Sequence, residues 1–195
     1  MTDQEHSSLY PIIDKRVRDA VDAVIDRQVV PWSFFKSGKP FRISRFDGRE
    51  IVYEGIQFDG SPRDVYWARY IEPYLESLCL NEISAATELA EQKGVDARIV
   101  FRELERLLKD GVRRVYGRMT DVDRKLRGGG NPRSVKDVDI QPYVLQMDEF
   151  IEDQISAELK TYRPISRIER WYRENKFLAW AIGVVIAVVG LWLRM

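Results

Sequence analysis

The stretch DARIVFRELERLLKDGVRRVYGRM, residues 96–119, decides how the chain folds. Asp96 is a good helix N-cap, and Val95 and Val100 are spaced to staple the chain around it. Val100, Leu104, Leu107 and Leu108 then fall on one helical face. Asp110-Gly111 admits two readings. As a turn, it ends the helix and leaves Val112 to Met119 as a strand. As part of the helix, it lets one amphipathic helix run from Asp96 to Leu126, because Val115, Met119, Val122 and Leu126 keep the same period.

The residues just upstream bear on that choice. Thr87-Glu88-Leu89-Ala90 reads as a short helix, which Gly94 can stop in a left-handed conformation. The order Glu88-Leu89-Ala90, Gly94-Val95, Val100, Leu104, Leu107 and Gly111-Val112 resembles a winged helix-turn-helix. The resemblance covers about residues 75–119, roughly a fifth of the chain. It implies that the second helix enters a major groove by its N-terminal half, through Ala97, Arg98, Phe101 and Arg102. It also implies a basic strand and wing, with Arg113, Arg114 and Arg118 placed for phosphates. Against nucleic acid stand Glu103 and Glu105 on the same helix, and Asp121 and Asp123 where a wing would be basic. Winged helices also serve as protein-binding modules.

Further upstream, Met1 to Ser7 is polar and expected to fray. A helix follows, with Pro11 in its first turn and Ile13, Val17, Val21, Val24 and Ile25 on one face. Pro31 is expected to end it. Phe41 to Phe46, Asp47-Gly48 and Arg49 to Phe58 read as a β-hairpin, since Asp-Gly suits a type I′ turn. Ser61-Pro62 opens another helix, which Pro73 breaks or kinks. Its aromatic cluster, Tyr66, Trp67 and Tyr70, reads as core.

Downstream, Gly128-Gly129-Gly130-Asn131-Pro132 lacks the Lys-Ser/Thr of a phosphate-binding loop and reads as a flexible linker over 128–141. Val144, Met147, Ile151, Ile155 and Leu159 give an amphipathic helix over 142–165. Ser166 and Glu169 form a capping box that starts a juxtamembrane helix carrying Trp171 and Tyr172. FLAWAIGVVIAVVGLWL, residues 177–193, contains no charge and is bounded by Lys176 and Arg194. It spans about 25 Å as a helix, and snorkelling flanks bring it to the thickness of a bilayer. Trp180 and Trp192 sit near its ends, as interfacial rings do. Ala179, Gly183 and Ala187, with Gly190 nearby, form a small-residue stripe that suits helix–helix contact. Arg163, Arg167, Arg170 and Arg173 precede the run, so the positive-inside rule puts the large N-terminal part in the cytoplasm.

Composition sets the limits. The 195 residues carry 31 Lys+Arg and 31 Asp+Glu, so no global charge draws the chain to nucleic acid. The one histidine, His6, lies in the polar N-terminal stretch, which argues against histidine-based catalysis or metal binding. The one cysteine, Cys79, allows no internal disulfide and fits a reducing cytosol. Asp121 with Asp123, and Asp137 with Asp139, read as solvated surface. No catalytic, cofactor-binding or metal site is expected, and the chain is not read as an enzyme.

The expected fold is mainly α with a small β-hairpin (α+β), followed by one C-terminal transmembrane helix. Residues 1–127 form the cytoplasmic domain, and 166–195 the juxtamembrane helix and anchor. The expected function is a tail-anchored, single-pass protein of a bacterial inner membrane, presenting a protein-interaction domain and self-associating. Its partners would be the bilayer, a second copy and another protein. The alternatives are a membrane-tethered nucleic-acid-binding regulator and an oligomerising, membrane-perturbing effector.

Overall fold

The structure is a computed structural model that describes residues 6–34, 39–44, 48–53, 71–128 and 139–162, with Asn175 and Trp180. Helix α1 spans Tyr10–Val24, with Pro11 in its first turn. Ile13, Val17, Val21 and Val24 are buried at the helical spacing expected. Beyond Val24 the chain does not stop but changes pitch, through a π turn, Ile25–Val29, and a 3-10 turn, Val30–Phe34. Pro31 has no N–H to continue an α ladder, so the winding widens and then tightens around it. Trp32 is buried in that last turn.

Helix α2, Glu72–Lys93, has Pro73 in its first turn, where a missing N–H costs nothing. The short helix expected at 87–90 is thus the end of a helix of 22 residues. Gly94 closes it at φ 65°, and Val95 N–H donates to Ala90 O at 3.0 Å. Asp96 starts the next helix by accepting the Arg98 backbone N–H at 2.9 Å.

Helix α3 then runs unbroken from Ala97 to Gly128, 32 residues. This corrects the turn at Asp110-Gly111, the strand over Val112–Met119 and with them the winged helix. The physical reason is burial. Val100, Phe101, Leu104, Leu108, Val112, Val115, Tyr116, Met119 and Val122 are all buried along one stripe. Each large apolar side chain stabilises by about 1.5–3 kcal/mol when buried. A helical glycine costs only about 1 kcal/mol, so Gly111 and Gly117 do not break the helix.

Helix α4, Gln141–Thr161, buries Val144, Met147, Ile151 and Ile155. These side chains share one core with α1 to α3. The C-cap of α4, Tyr162, is extended, two residues before Pro164. Helix α3 lies against α1, α2 and α4, while α2 also touches α1 and α4. The bundle is therefore a central α2–α3 pair flanked by α1 and α4.

Two parts of the expected fold class are corrected. Strands β1, Phe41–Ser44, and β2, Glu50–Tyr53, pair antiparallel with Phe41 opposite Tyr53, but no described side chain of theirs enters the core. Helix accounts for 84% of the described residues, so the class is mainly α and not α+β. Among the described residues no helix is long and apolar enough to cross a membrane. Each described helix keeps a polar outer face, which suits a bundle and not lipid. The run 177–193 lies outside the described residues except for Trp180, which is helical and exposed. The linker at 129–138, the aromatic cluster at 66–70 and the rest of the hairpin at 54–58 also lie outside them.

Candidate interaction groove

The outward face of α3 forms the floor of an open groove of about 560 Å³. Ile99, Arg102, Arg106, Lys109 and Arg113 line it at three- and four-residue spacing. That stripe is the complement of the buried one, so the same periodicity that builds the core also aims these side chains outward.

One end of the groove is closed by His6 and Ser7, which are docked rather than frayed, while residues 1–5 lie outside the described residues. Ser7 donates its backbone N–H to Glu103 Oε1 at 2.6 Å and its hydroxyl to Glu103 Oε2. His6 Nδ1 lies 3.4 Å from Glu103 Oε1, and its ring stacks on Tyr10 with centroids 4.0 Å apart. Glu103 is only 9% exposed, so these donors answer the demand of a nearly buried carboxylate. Arg106 Nη2 donates to the Tyr10 hydroxyl at 3.2 Å and its guanidinium lies 5.9 Å from the ring centre.

At the other end of the groove, Lys109 and Arg113 reach α4, where charges are matched. Lys109 Nζ lies 2.6 Å from Glu105 Oε1 and 2.5 Å from Glu152 Oε1. Burial pulls the Lys109 ammonium down, but the two carboxylate hydrogen bonds outweigh it and hold its pKa above the ordinary value. Arg113 reaches Asp148 Oδ2 at 2.6 Å and Asp110 Oδ1 at 3.4 Å.

The residues expected to read a nucleic acid are thus dispersed. Phe101 is 1% exposed and packs in the core, because it lies three residues before Leu104 on the buried stripe. Ala97 is buried as well. Arg114 bonds Asp22 of α1 at 2.7 Å, and Arg118 lies 3.5 Å from Asp121. With Arg113 they are already neutralised by carboxylates, which leaves little for phosphate. Arg98 and Arg102 are exposed, and Arg102 makes no ion pair among the described residues. Ile99, Arg106 and Lys109 were not singled out from the sequence, although the outward spacing contains them.

Of the expected anchor residues, Trp171, Tyr172, Lys176, Ala179, Gly183, Ala187, Gly190, Trp192 and Arg194 lie outside the described residues. Among the described residues no group of three or more His, Cys, Asp or Glu side chains is placed to hold a metal ion. Comparison with protein-family models, curated proteins and solved structures returned no match.

Proposed function

We propose that this chain is a membrane-attached protein-interaction module that associates with itself. The observation that carries the reading is the groove on α3. It is open and shallow, its floor combines an exposed Ile99 with arginines, and Arg102 makes no ion pair among the described residues. Such a surface suits a macromolecule better than a small ligand, which would need an enclosed, mostly apolar pocket. An apolar residue ringed by guanidinium groups is also the composition favoured at protein interfaces.

The membrane part of the proposal rests on sequence. Residues 177–193 are uncharged, and the basic residues from Arg163 to Lys176 favour a cytoplasmic bundle. Nucleic acid binding is the weaker reading, since Arg113, Arg114 and Arg118 are engaged with Asp148, Asp22 and Asp121.

Two measurements test the reading on the full chain. Flotation with phospholipid vesicles should carry the protein to the top of a density gradient and resist carbonate extraction. Sedimentation velocity in detergent micelles should show a concentration-dependent dimer. A protein that stays at the bottom of the gradient and remains monomeric overturns the proposal.

A further inference from the structure

This inference rests on the membrane attachment proposed above and names the part of the bundle that meets the lipid. Helix α4 ends at Thr161, and the sequence then runs through Arg163, Arg167, Arg170, Arg173 and Lys176 to the uncharged run 177–193. At most about 50 Å of chain separates Tyr162 from Phe177, and the far end of α4 lies about 30 Å further back along the helix. The end of the bundle at Thr161 is therefore the one tethered nearer the bilayer.

The N-terminal part of α3 lies at that same end. Lys109 meets Glu152 and Arg113 meets Asp148, so numbering rises on α3 as it falls on α4. Arg102 precedes Lys109 by about two turns, and Lys160 follows Glu152 by about two turns. Both therefore lie at one level, with Arg98 a turn further toward the tip. Arg98, Arg102 and Lys160 are exposed and make no ion pair among the described residues. Ile99, 46% exposed, sits between the arginines.

The carboxylates at this end are engaged or turned away. Asp96 caps α3 on the Arg98 N–H. Glu103 holds Ser7 and faces His6, Glu105 holds Lys109, and Glu158 accepts the Thr87 hydroxyl. Glu88 and Glu91 are exposed on the solvent side of α2, away from the Ile83, Ala86 and Ala90 stripe that packs it on its neighbours. Arg106, which donates to the Tyr10 hydroxyl, takes no part. The opposite end of the bundle differs. There Arg114, Arg118 and Arg124 are matched by Asp22 and Asp121, and the exposed Leu145 is followed one turn later by Glu149.

We propose that the edge formed by Arg98, Ile99, Arg102 and Lys160 docks on the anionic surface of a lipid bilayer. The three cations meet anionic headgroups, and Ile99 enters the boundary between headgroups and acyl chains, as apolar residues flanked by cations do in helices that lie on membranes. That attraction fades beyond a Debye length, so the tether's part is to raise the local concentration of this edge at the surface. Ile99 and Arg102 also line the groove, so lipid and a protein partner compete for that end.

The test uses the full chain with Cys79→Ala, carrying one environment-sensitive fluorophore at Ile99→Cys or, as a control at the opposite end, at Leu145→Cys. Each is reconstituted in vesicles of phosphatidylcholine with brominated acyl chains, with or without phosphatidylserine. Circular dichroism verifies folding, and flotation verifies attachment. The label at 99 should shift to the blue and be quenched when phosphatidylserine is present, and the label at 145 should stay unquenched. Arg98→Glu with Arg102→Glu and Lys160→Glu should abolish most of the quenching at 99, and added salt should do the same. If the chain floats but 99 is no more quenched than 145, this edge does not meet lipid and is left to a protein partner, while membrane attachment stands. If quenching at 99 is the same without phosphatidylserine and survives the charge reversal, recognition of anionic lipid is overturned. If the chain does not float, the attachment on which the inference rests fails.

Discussion

A Cβ built at Gly111 of α3 would lie 2.7 Å from Val21 Cγ2 of α1. The two helices therefore approach more closely than any side chain at 111 allows. Gly117, two turns later, has nothing within 4 Å of the same added atom. The two glycines should respond to alanine with opposite signs. Gly111→Ala adds helix propensity worth about 1 kcal/mol, but forces a stiff β-branched neighbour to move, at about 1–3 kcal/mol. The net expectation is destabilisation by up to about 2 kcal/mol. Gly117→Ala should stabilise by up to about 1 kcal/mol. Urea denaturation of both variants checks this, with a shifted midpoint at unchanged slope. Had Asp110-Gly111 been a turn, Gly117→Ala in a following strand would bring no helical gain.

That pair also marks how far the sequence could be read. The buried stripe from Val100 to Val122 was legible, because period alone displays it. What the sequence could not show at Asp110-Gly111 was the close approach of Val21, distant in sequence and visible only once α1 is packed. The same holds for the arginines. Their outward spacing could be read, but the partners of Arg113 and Arg114, Asp148 and Asp22, lie on other helices and leave no local trace. Phe101 is the instructive miss. Taken as a groove contact by resemblance, it has the spacing of a core residue beside Val100 and Leu104. The docked His6 and Ser7 had no sequence signal, since a polar terminus reads as frayed until Glu103 is seen facing it.

Arg16 of α1 grips Glu82 of α2 with two nitrogens, Nε at 3.0 Å and Nη2 at 3.3 Å. Glu82 is 9% exposed, whereas half of the Arg16 side chain is in solvent. Removing the arginine strands a nearly buried carboxylate. Arg16→Ala should therefore cost about 1–3 kcal/mol. Replacing both residues by methionine should be close to neutral, because no charge is then left unpaired. A thermal or urea double-mutant cycle checks it. Equal losses in the single and double variants would show that packing, and not the ion pair, holds α1 to α2.

Glu72 at the start of α2 gives a pH-dependent term with a definite sign. Burial, and then the charge of Glu76, raise its pKa above the ordinary 4.5. A carboxyl with a raised folded-state pKa stabilises the fold fully below its unfolded value, and that contribution is lost as pH rises through the folded pKa. Gln146 donates its side-chain amide to Glu72 Oε1, and a glutamine at 72 keeps a carbonyl acceptor for it. Glu72→Gln should therefore match wild type in acid and become the more stable protein as pH climbs from about 4.5 toward neutrality. Melting temperatures across that window check the direction. An advantage that is flat with pH would assign the effect to packing instead of charge.

Cys79 reports on the whole bundle. It is fully buried on α2, and burial, with a smaller push from Glu76, raises its thiol to about 12. The thiolate is the reactive form, so a native thiol in this setting is doubly protected, by occlusion and by protonation. A disulfide reagent at pH 8 should label the folded full chain at least about a thousandfold more slowly than the urea-unfolded chain, as a stability of about 5 kcal/mol implies. The rate should follow opening of the bundle. Gly111→Ala, which loosens α1 from α3, should then accelerate labelling by up to about 30-fold for a loss of up to about 2 kcal/mol. If labelling is fast in wild type, α2 opens locally. If Gly111→Ala lowers the urea midpoint but leaves the labelling rate unchanged, exposure of Cys79 does not require the α1–α3 contact to open.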